Sequence, residues 1–373
     1  ILFLIINNND RVSRDLTELE SLVRSSGGIT VGVIHQKLSS PNPKTIFGKG
    51  KLEEASLEVK RKKATLVVVD REMSPSQARN LENYLFCRVI DRSQLILDIF
   101  AQRASSSAGR IQVELAQLRY LLPRLIGVGN HLSRQGGGIG TRGPGETQLE
   151  KDKRAILNRI ENLRKELKQL QKHRHLLRKK RKKVPSVALV GYTNAGKSTL
   201  LNSLCNLTIE KKVLAENKLF ATLDPTTRRL LIPKKNEPPN ELLITDTVGF
   251  IRELPETLME AFRATLEETL EADLLLLLVD LANPDWLYQL KTVNKVLDSL
   301  GVTAFRQVLA NKIDCCDSSS LAEISLISNK VIYLSASSGA GLQGLKLWLQ
   351  NYFWSCHANS PIIQDQYQEI RDA

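Results

Sequence analysis

The stretch that decides the fold is a glycine loop in the second half of the chain. It reads Gly191-Tyr192-Thr193-Asn194-Ala195-Gly196-Lys197-Ser198 and fits the phosphate-loop pattern G-x-x-x-x-G-K-[ST] at every position. The apolar run 187–190 before it predicts a buried strand, and residues 199–204 after it predict the first turns of a helix. A strand that feeds a helix through such a loop directs backbone N–H groups and a helix N-terminus at a phosphate. We therefore predict a nucleotide site here rather than a chance match in a glycine-containing turn.

Individual residues of this loop predict separate tasks. We expect Lys197 to reach the terminal phosphates and to take part in catalysis, and we expect the Ser198 hydroxyl to bind Mg2+. The predicted nucleotide contacts of the loop are Gly191, Asn194, Ala195, Gly196, Lys197, Ser198 and Thr199.

A second motif, Asp246-Thr247-Val248-Gly249, follows the apolar run 242–244. In a parallel-sheet nucleotidase this position carries a second carboxylate linked to Mg2+ and a glycine N–H for the γ-phosphate. We therefore predict Asp246 as a metal and nucleotide contact, and Gly249 as a nucleotide contact that also serves catalysis.

Two further motifs indicate that the base is guanine. Asn311-Lys312-Ile313-Asp314 follows a strand-like run, and a carboxylate at 314 can accept from both N1–H and N2–H of guanine, a pair that adenine does not offer. Ser335-Ala336-Ser337 follows the run 331–334 and offers a backbone donor to guanine O6. The predicted contacts on this side are Asn311, Lys312, Asp314, Ser335, Ala336 and Ser337. The four motifs in this order resemble the Ras-like GTPases, so we predict a phosphate-loop GTPase domain with GTP as substrate.

Upstream of this domain, strand-like and helix-like segments alternate over residues 1–104 and predict a small parallel α/β domain. Its strands are predicted at Ile1–Ile6, Val31–Ile34, Leu66–Val69 and Arg88–Ile90. The segment Gly48-Lys49-Gly50 could hold a phosphate, but it lacks the full phosphate-loop pattern. A nucleotide site there remains an alternative.

Residues 105–183 predict a helical hairpin, because apolar residues recur at spacings of three and four over 111–122 and 156–177. Between the two seams lies the glycine-rich segment Gly127–Gly145, which has no carboxylate and whose basic groups are Arg134 and Arg142. It is either a flexible linker or a probe for RNA, and we favour RNA-binding roles for Arg134 and Arg142 because structured RNA is read by shape and backbone. The predicted domains are residues 1–104, 105–183, 184–352 for the GTPase, and 353–373 for a tail.

The charge of the chain is concentrated in one element. The net charge is +13, and residues 151–183 hold fifteen Lys or Arg and three acidic residues, a local charge of +12. A polyanion should therefore be attracted mainly to this helix, although a solvated charged helix face is the simpler interpretation.

Cysteine usage and hydropathy exclude several classes of protein. Five cysteines without paired metal spacing indicate reduced thiols rather than a disulfide framework. No apolar stretch approaches the roughly twenty residues of a membrane helix, so we predict no membrane span. We expect a monomer in the cytoplasm, or in an organelle if a targeting segment precedes Ile1.

Taken together, the chain resembles one family closely, the HflX GTPases, which bind the large ribosomal subunit. The resemblance is carried by residues 42–51 (NPKTIFGKGK), 74–82 (SPSQARNLE), 89–93 (VIDRS), 112–118 (QVELAQL), 136–148 (GGGIGTRGPGETQ) and 191–198 (GYTNAGKS). It implies that the N-terminal and helical parts dock on ribosomal RNA, with the glycine-rich loop reaching toward the peptidyl-transferase centre. It also implies that the GTP-bound protein splits the ribosomal subunits or keeps them apart, often under stress.

The resemblance also implies the switch residues. It places switch I at residues 220–226, where Thr222 would bind Mg2+, sense the γ-phosphate and serve catalysis, although spacing alone does not choose between Thr222 and Thr226. Phe250 stands where Ras has the glutamine that orients the attacking water, so we expect slow hydrolysis by the free protein. Asn194 stands where potassium-dependent relatives coordinate their cation, which suggests K+ as a further cofactor.

Two other classes of function stay open at this stage. The first is an ATP-using RNA-remodelling or ribosome-assembly factor, with ATP at the N-terminal domain and a regulatory GTPase domain. The second is a signalling GTPase with a protein partner away from the ribosome. ATP hydrolysis by the N-terminal part would indicate the first, and weak, salt-sensitive RNA binding without ribosome binding would indicate the second.

Overall fold

The computed structural model describes most of the chain. The described residues are 2–6, 12–37, 40–132, 144–179, 184–205, 219–220, 222–234, 237–252, 271–327 and 330–354. Contacts divide the chain into two compact units, one with the residues up to 173 and the other with most of the residues from 174 onward.

The N-terminal unit begins with a parallel four-stranded sheet of order β2-β1-β3-β4. Its strands are β1 (Leu2–Ile6), β2 (Val33–Lys37), β3 (Leu66–Val69) and β4 (Arg88–Asp91). Its helices are α1 (Val12–Ser25), α2 (Lys49–Arg61), α3 (Pro75–Leu85) and α4 (Arg92–Arg103). The predicted parallel α/β architecture is confirmed. The second strand begins at Val33 rather than Val31, because pairing with β1 starts at the Leu2 and Val33 partners.

Two long helices follow in the same unit, α5 (Ser107–Leu132) and α6 (Pro144–Lys179). Leu115 of α5 is buried together with Ile160 and Leu163 of α6. The partly buried residues packed against these three are Ile111, Leu118, Leu122 and Ile156. The two predicted apolar seams therefore form a core for each other, as expected for a helical hairpin.

The helices extend into the segment that we predicted as a glycine-rich loop. Helix α5 continues to Leu132 and α6 starts at Pro144, so residues 127–132 and 144–145 are helical. Proline is well tolerated as a first helical residue because its missing N–H has no partner there. The rest of the predicted loop, residues 133–143, lies outside the described residues.

The second unit is built on a six-stranded sheet of order β10-β9-β8-β5-β7-β6, counted over the described residues. Its strands are β5 (Ser186–Gly191), β6 (Thr226–Lys234), β7 (Glu237–Asp246), β8 (Leu274–Asp280), β9 (Phe305–Asn311) and β10 (Ile332–Tyr333). Its helices are α7 (Lys197–Leu204), α8 (Trp286–Ser299), α9 (Ser318–Ile327) and α10 (Leu342–Trp354). Among these six described strands, β6 alone pairs antiparallel, with β7.

Strand β8 lies at the centre of this sheet, and all seven of its residues are buried. A central strand covered on both faces accounts for the apolar run of its first six residues, 274–279. The parallel strands end at one edge, which brings the residues after β5, β7, β9 and β10 together. In the described part of the chain, no helix is long and apolar enough to span a bilayer.

Candidate nucleotide and magnesium site

The phosphate loop joins β5 to α7, and two of its glycines are required by close packing. A Cβ on Gly191 would lie 2.5 Å from the carbonyl oxygen of Leu278 on the neighbouring strand. Gly196 has a φ of +95°, and a Cβ there would lie 2.4 Å from the Asn311 side-chain nitrogen. The backbone can therefore take the tight path of an anion nest only with glycine at these positions.

Lys197 opens helix α7 and is almost completely buried. Its Nζ donates to the carbonyl oxygens of Gly191 at 3.2 Å and Tyr192 at 2.8 Å. Burial lowers the pKa of Lys197 to about 8, and the nearby Asp246 carboxylate opposes this shift. The amine is thus held within the loop that the predicted phosphates would occupy.

Ser198, Thr222 and Asp246 form a compact cluster of oxygen atoms. Ser198 Oγ lies 2.8 Å from Thr222 Oγ1, and Asp246 Oδ2 accepts from Ser198 at 2.6 Å and from Thr222 at 3.0 Å. The three predicted metal ligands are therefore brought together. Thr226, the other threonine that spacing allowed, donates to the carbonyl of Asp224 at 3.5 Å instead.

This cluster fits Mg2+ by its chemistry. Two hydroxyls and a carboxylate are the hard oxygen donors that Mg2+ prefers. Asp246 is fully buried, and its Oδ1 has no hydrogen-bond partner among the described residues. Burial raises the pKa of Asp246, whereas Lys197 and the Ser198 hydroxyl lower it. A buried carboxylate with one unpaired oxygen is suited to a cation.

The segment after β7 is tied to the phosphate loop through its backbone. Phe250 donates its N–H to Gly191 at 3.1 Å, and its carbonyl accepts from Thr193 N–H at 2.7 Å. A Cβ on Gly249 would lie 2.8 Å from Thr193 Cα and 3.0 Å from Lys197 Nζ, so only glycine fits there. The Phe250 ring is 2% exposed and has no group that could hydrogen-bond a water.

Asn311 connects three of the predicted motifs. Its Nδ2 donates to the Ala195 carbonyl at 2.8 Å, and its Oδ1 accepts from Ala336 N–H at 2.9 Å. The side chain is 1% exposed. We predicted Asn311 as a nucleotide contact, and the structure shows in addition that its amide holds the phosphate loop against the 335–337 loop.

Asp314 is exposed at the edge of the site. Hydrogen bonds hold its pKa below the usual value, with the Ser335 hydroxyl first and then the Cys315 thiol and Ser337 hydroxyl. The Cys315 and Ser337 contacts to Oδ2 measure 3.3 and 3.4 Å. The carboxylate is therefore kept in the charged form that can accept two hydrogen bonds from guanine.

Lys312 and Ser335 complete the predicted base side. Lys312 adopts a positive φ of 62°, and its Nζ donates to Asp280 Oδ2 at 2.6 Å. Ser335 is fully buried, and its Oγ lies 3.1 Å from Ser337 Oγ. Lys312 is therefore tied to the last residue of β8, and the two serine hydroxyls of the 335–337 loop contact each other.

Sequence reasoning missed several supporting residues. Ser203 Oγ donates to the Ala336 carbonyl at 2.7 Å, and the Tyr192 hydroxyl accepts from Arg252 N–H at 2.8 Å. These partners are far apart in sequence and belong to no shared motif. Only the position of Tyr192 inside the phosphate loop could have marked it.

The predicted alternative site near Gly48 gains no support from its contacts. Gly48 precedes α2, and its N–H donates to the Gln36 side-chain oxygen at 3.0 Å. That N–H is thus engaged within the protein. Lys49, the basic group of the predicted site, is exposed at the first position of α2.

For the predicted RNA contacts, Arg134 and Arg142 lie outside the described residues. The basic helix α6 is described in part, and its exposed basic residues include Lys151, Lys153, Arg154, Arg159, Arg164, Lys165 and Lys168. Arg159 pairs with Glu114 at 2.7 Å, and Lys165 pairs with Glu161 at 2.7 Å. The helix therefore presents a positively charged surface.

Comparisons with known proteins agree with this site. Family models described as GTP-binding GTPase N-terminal, GTP-binding GTPase Middle Region and 50S ribosome-binding GTPase match residues 13–101, 103–181 and 186–312. The crystal structure of an SsGBP and GDP complex matches with a TM-score of 0.51 and 25% identity, covering 95% of this chain and 99% of that chain.

Curated relatives match at higher identity. GTPase HflX of Caldanaerobacter subterraneus subsp. tengcongensis is 49% identical over 333 residues, which are 88% of this chain and 75% of the relative. GTPase HflX of Escherichia coli is 46% identical over 350 residues, 92% of this chain and 80% of the relative. With relatives this similar over most of both chains, and with the GTPase motifs assembled at one sheet edge, the chain belongs to the HflX GTPase family.

Proposed function

We propose that the protein is a GTP-hydrolysing switch that binds the large ribosomal subunit and splits ribosomal subunits or keeps them apart, in rescue or recycling under stress. The observation that carries the switch is the oxygen cluster of Ser198, Thr222 and Asp246, which joins the phosphate loop to both predicted switch segments. The ribosomal partner is supported by the matching family model, whose description is a 50S ribosome-binding GTPase. The exposed basic residues of α6 suit an RNA-rich partner.

In this proposal the phosphates of GTP lie against the phosphate loop. Lys197 would exchange its bonds to the carbonyls of Gly191 and Tyr192 for bonds to phosphate oxygens, and the Gly249 N–H would face the γ-phosphate. Ser198, Thr222 and Asp246 would hold Mg2+, which neutralises phosphate charge when bound.

The γ-phosphate would then control two segments at once. Thr222 precedes β6 and Gly249 follows β7, and both lie beside residues of the phosphate loop. Contacts made by the γ-phosphate would order residues 220–228 and 246–256, and hydrolysis would release them. This change is the switch that we expect the ribosome-binding parts to respond to.

Guanine would be selected by Asp314, whose carboxylate is kept charged by the Ser335, Cys315 and Ser337 side chains. The amide of Asn311 supports this selection indirectly, because it positions the Ala336 N–H that follows β10. The predicted contacts Lys312 and Ser337 would lie beside the guanine that Asp314 binds.

We propose slow hydrolysis by the free protein, because the buried Phe250 ring offers no group to orient water. A ribosomal contact or a K+ ion near Asn194 would complete the site. Asn194 has a positive φ of 64°, which sets its direction within the loop. Equal hydrolysis rates in sodium and potassium buffers would remove the K+ proposal. We further propose that the protein acts as a monomer in the cytoplasm, or in an organelle.

The proposal is tested by hydrolysis and sedimentation with purified large ribosomal subunits. We expect the subunits to stimulate GTP hydrolysis, and we expect a non-hydrolysable GTP analogue to increase co-sedimentation. Intact ribosomes incubated with the protein and GTP should sediment as separated subunits. Ser198→Ala is the control, because it removes an oxygen of the predicted metal site. If large subunits leave the rate of GTP hydrolysis by the wild-type chain unchanged, and no nucleotide makes the chain pellet with them, the ribosomal role is refuted. The proposed GTPase activity is not affected by that result.

A further inference from the structure

One surface of the N-terminal unit combines an exposed aromatic ring with exposed basic side chains. Phe86 is the C-cap residue that follows α3, and it is 80% exposed. Lys60 of α2 lies over its ring, with Nζ 5.7 Å from the ring centroid. The residues that follow, Arg61, Lys62 and Lys63, are exposed, as is Arg88 at the start of β4. We call Lys60, Lys62, Lys63, Phe86 and Arg88 the Phe86 patch.

The ends of α2 and α3 are held side by side at this patch. The Cys87 thiol donates to the carbonyl of Ala64 at 3.4 Å. Leu66 and Arg88 are partners in the pairing of β3 with β4. The segments that carry the basic residues and the aromatic ring therefore leave the two helices at the same edge of the sheet.

Both helix ends hold a side chain where glycine is the usual residue. Phe86 has φ and ψ of 51° and 36°, and Lys63 has a φ of 50°, so both lie in the left-handed region. Helices commonly end in this conformation with glycine, since a Cβ is unfavourable there. The strain falls on an aromatic residue that is not needed to fill the core. Strained residues of this kind concentrate at functional sites.

The chemistry of the patch suits single-stranded RNA. An exposed aromatic ring can stack on an unpaired base, and the surrounding ammonium groups can follow the phosphate backbone. Arg61 pairs with Glu58 at 2.7 Å, so the charge available to a polyanion comes mainly from Lys60, Lys62 and Lys63. A protein partner would be expected to meet a wider apolar surface than one ring.

We propose that the Phe86 patch binds an unpaired segment of RNA, with one base stacked on Phe86 and the phosphates beside Lys60, Lys62 and Lys63. This inference deepens the proposed function, because it names an RNA contact for a protein that we propose to be ribosome-bound. It concerns a surface separate from the residues of the nucleotide site.

The test uses the full chain and a short oligouridine that contains 4-thiouridine. We expect photo-cross-links at Phe86 or its immediate neighbours, located by mass spectrometry. Phe86→Ala should weaken oligouridine binding by about fivefold or more, since it removes one stacked base. Phe86→Tyr keeps the aromatic ring, so its affinity for oligouridine should stay within about twofold of that of the wild type. Leu326→Ala is the control, because Leu326 is 86% exposed and lies in the other unit.

Charge and stacking are separated by salt dependence. Lys60→Ala and Lys62→Ala should each reduce the slope of log affinity against log salt by about 0.7, the value for one phosphate of a single strand. Phe86→Ala should leave the slope unchanged while lowering the affinity. If the salt slope is the same for Lys60→Ala, Lys62→Ala and Phe86→Ala, the two lysines do not contact phosphates and that part of the proposal is overturned.

Phe86→Gly provides a readout that a purely structural residue would not give. Glycine relieves the left-handed strain, so the thermal unfolding midpoint should rise by about 2–4 °C while RNA binding falls. A lower midpoint together with unchanged RNA binding would overturn the proposal and would make Phe86 a folding residue. Unchanged binding by Phe86→Ala and Phe86→Gly with cross-links elsewhere would overturn the proposal and assign oligouridine binding to another surface.

Ribosome sedimentation distinguishes this inference from the proposed function. If the wild-type chain does not pellet with large subunits, the proposed function fails, and the cross-links still decide the patch. If the wild-type chain, Phe86→Ala and Phe86→Gly pellet and bind oligouridine equally, only the patch fails.

Discussion

The two units each bury an aspartate completely, and the two carboxylates differ in how they are satisfied. In the N-terminal unit, Asp91 Oδ1 accepts from Gln94 N–H and the Tyr120 hydroxyl, both at 2.8 Å. Its Oδ2 accepts from Met73 N–H at 3.2 Å and from Arg124 at 2.8 Å. In the GTPase unit, Asp246 Oδ1 has no such partner in the part of the chain that the structure describes.

The difference contrasts a carboxylate that is fully hydrogen-bonded within the protein with one that we predict to bind a cation. Four donors around Asp91 join β4, α4, α5 and the segment before α3 into one body, and nothing remains for a ligand. The cluster around Asp246 contains hydroxyls and an unpaired oxygen, which a cation can use. Burial is the same for both aspartates, so the prediction of different roles depends on their hydrogen bonds.

The largest expected effect tests the structural side of this comparison. Asp91→Ala removes the buried carboxylate that accepts from both Arg124 and the Tyr120 hydroxyl, so the free energy of unfolding should fall by about 3–5 kcal/mol. Urea unfolding of the full chain measures this loss. Glu53→Ala, an exposed change on α2, should stay within about 0.5 kcal/mol. A small loss for Asp91→Ala would mean that full satisfaction does not indicate a structural role.

The next effect concerns the nucleotide site. Lys197→Ala removes a buried charged donor next to the predicted phosphates, so GTP affinity should fall by about 100-fold. The free energy of unfolding should change less than it does in Asp91→Ala. Titration with a fluorescent GTP analogue measures the affinity. Lys291→Ala on α8, which is exposed, is the matched control. GTP affinity equal to that of the wild type would sink the assignment of the phosphate loop.

A smaller effect is expected at the base side. Asp314→Asn replaces a carboxylate by an amide that can donate, so the preference for GTP over xanthosine triphosphate should fall by about tenfold or more. Competition binding with both nucleotides measures the preference. Glu323→Gln on α9, which is exposed, supplies the matched loss of one charge. An unaltered preference would refute a base-reading role for Asp314.

The smallest effect could break the comparison. Gln112 of α5 is 1% exposed, and neither polar atom of its side chain has a hydrogen-bond partner among the described residues. If it is only an uncompensated buried amide, Gln112→Met should stabilise the protein by up to about 1 kcal/mol. If Gln112 instead holds a ligand, as we predict for Asp246, the same change should lower co-sedimentation with large ribosomal subunits. The free energy of unfolding should then not rise. Urea unfolding and ribosome co-sedimentation together decide between the two.

Much of the site was predictable because its geometry is local. The phosphate loop needs glycine at Gly191 and Gly196, because a Cβ there would collide with Leu278 or Asn311. The glycines of the sequence motif are thus explained by the same close contacts that the structure shows. The choice between Thr222 and Thr226 was different. It depends on where the chain passes Ser198, which spacing does not encode, and the structure places Thr222 there.

The remaining features depend on contacts between distant residues. The bonds of Asp91 to Tyr120 and Arg124 cross from β4 to α5, and no sequence motif announces them. The second strand was placed two residues early, because apolar residues at 31 and 33 alternate like a strand although pairing starts only at Val33. The extension of α5 to Leu132 was missed because glycines at 127 and 129 predict a loop, whereas the helix continues through them.

The two hydrogen bonds of Asn311 have a consequence for the kinetics of nucleotide exchange. One side chain bonds to the Ala195 carbonyl and to the Ala336 N–H, so the phosphate loop and the predicted base-side loop 335–337 share a support. A movement that opens one loop breaks a bond that steadies the other. GDP should therefore leave in one cooperative step, and a partner that pulls on either loop would accelerate the release of the whole nucleotide.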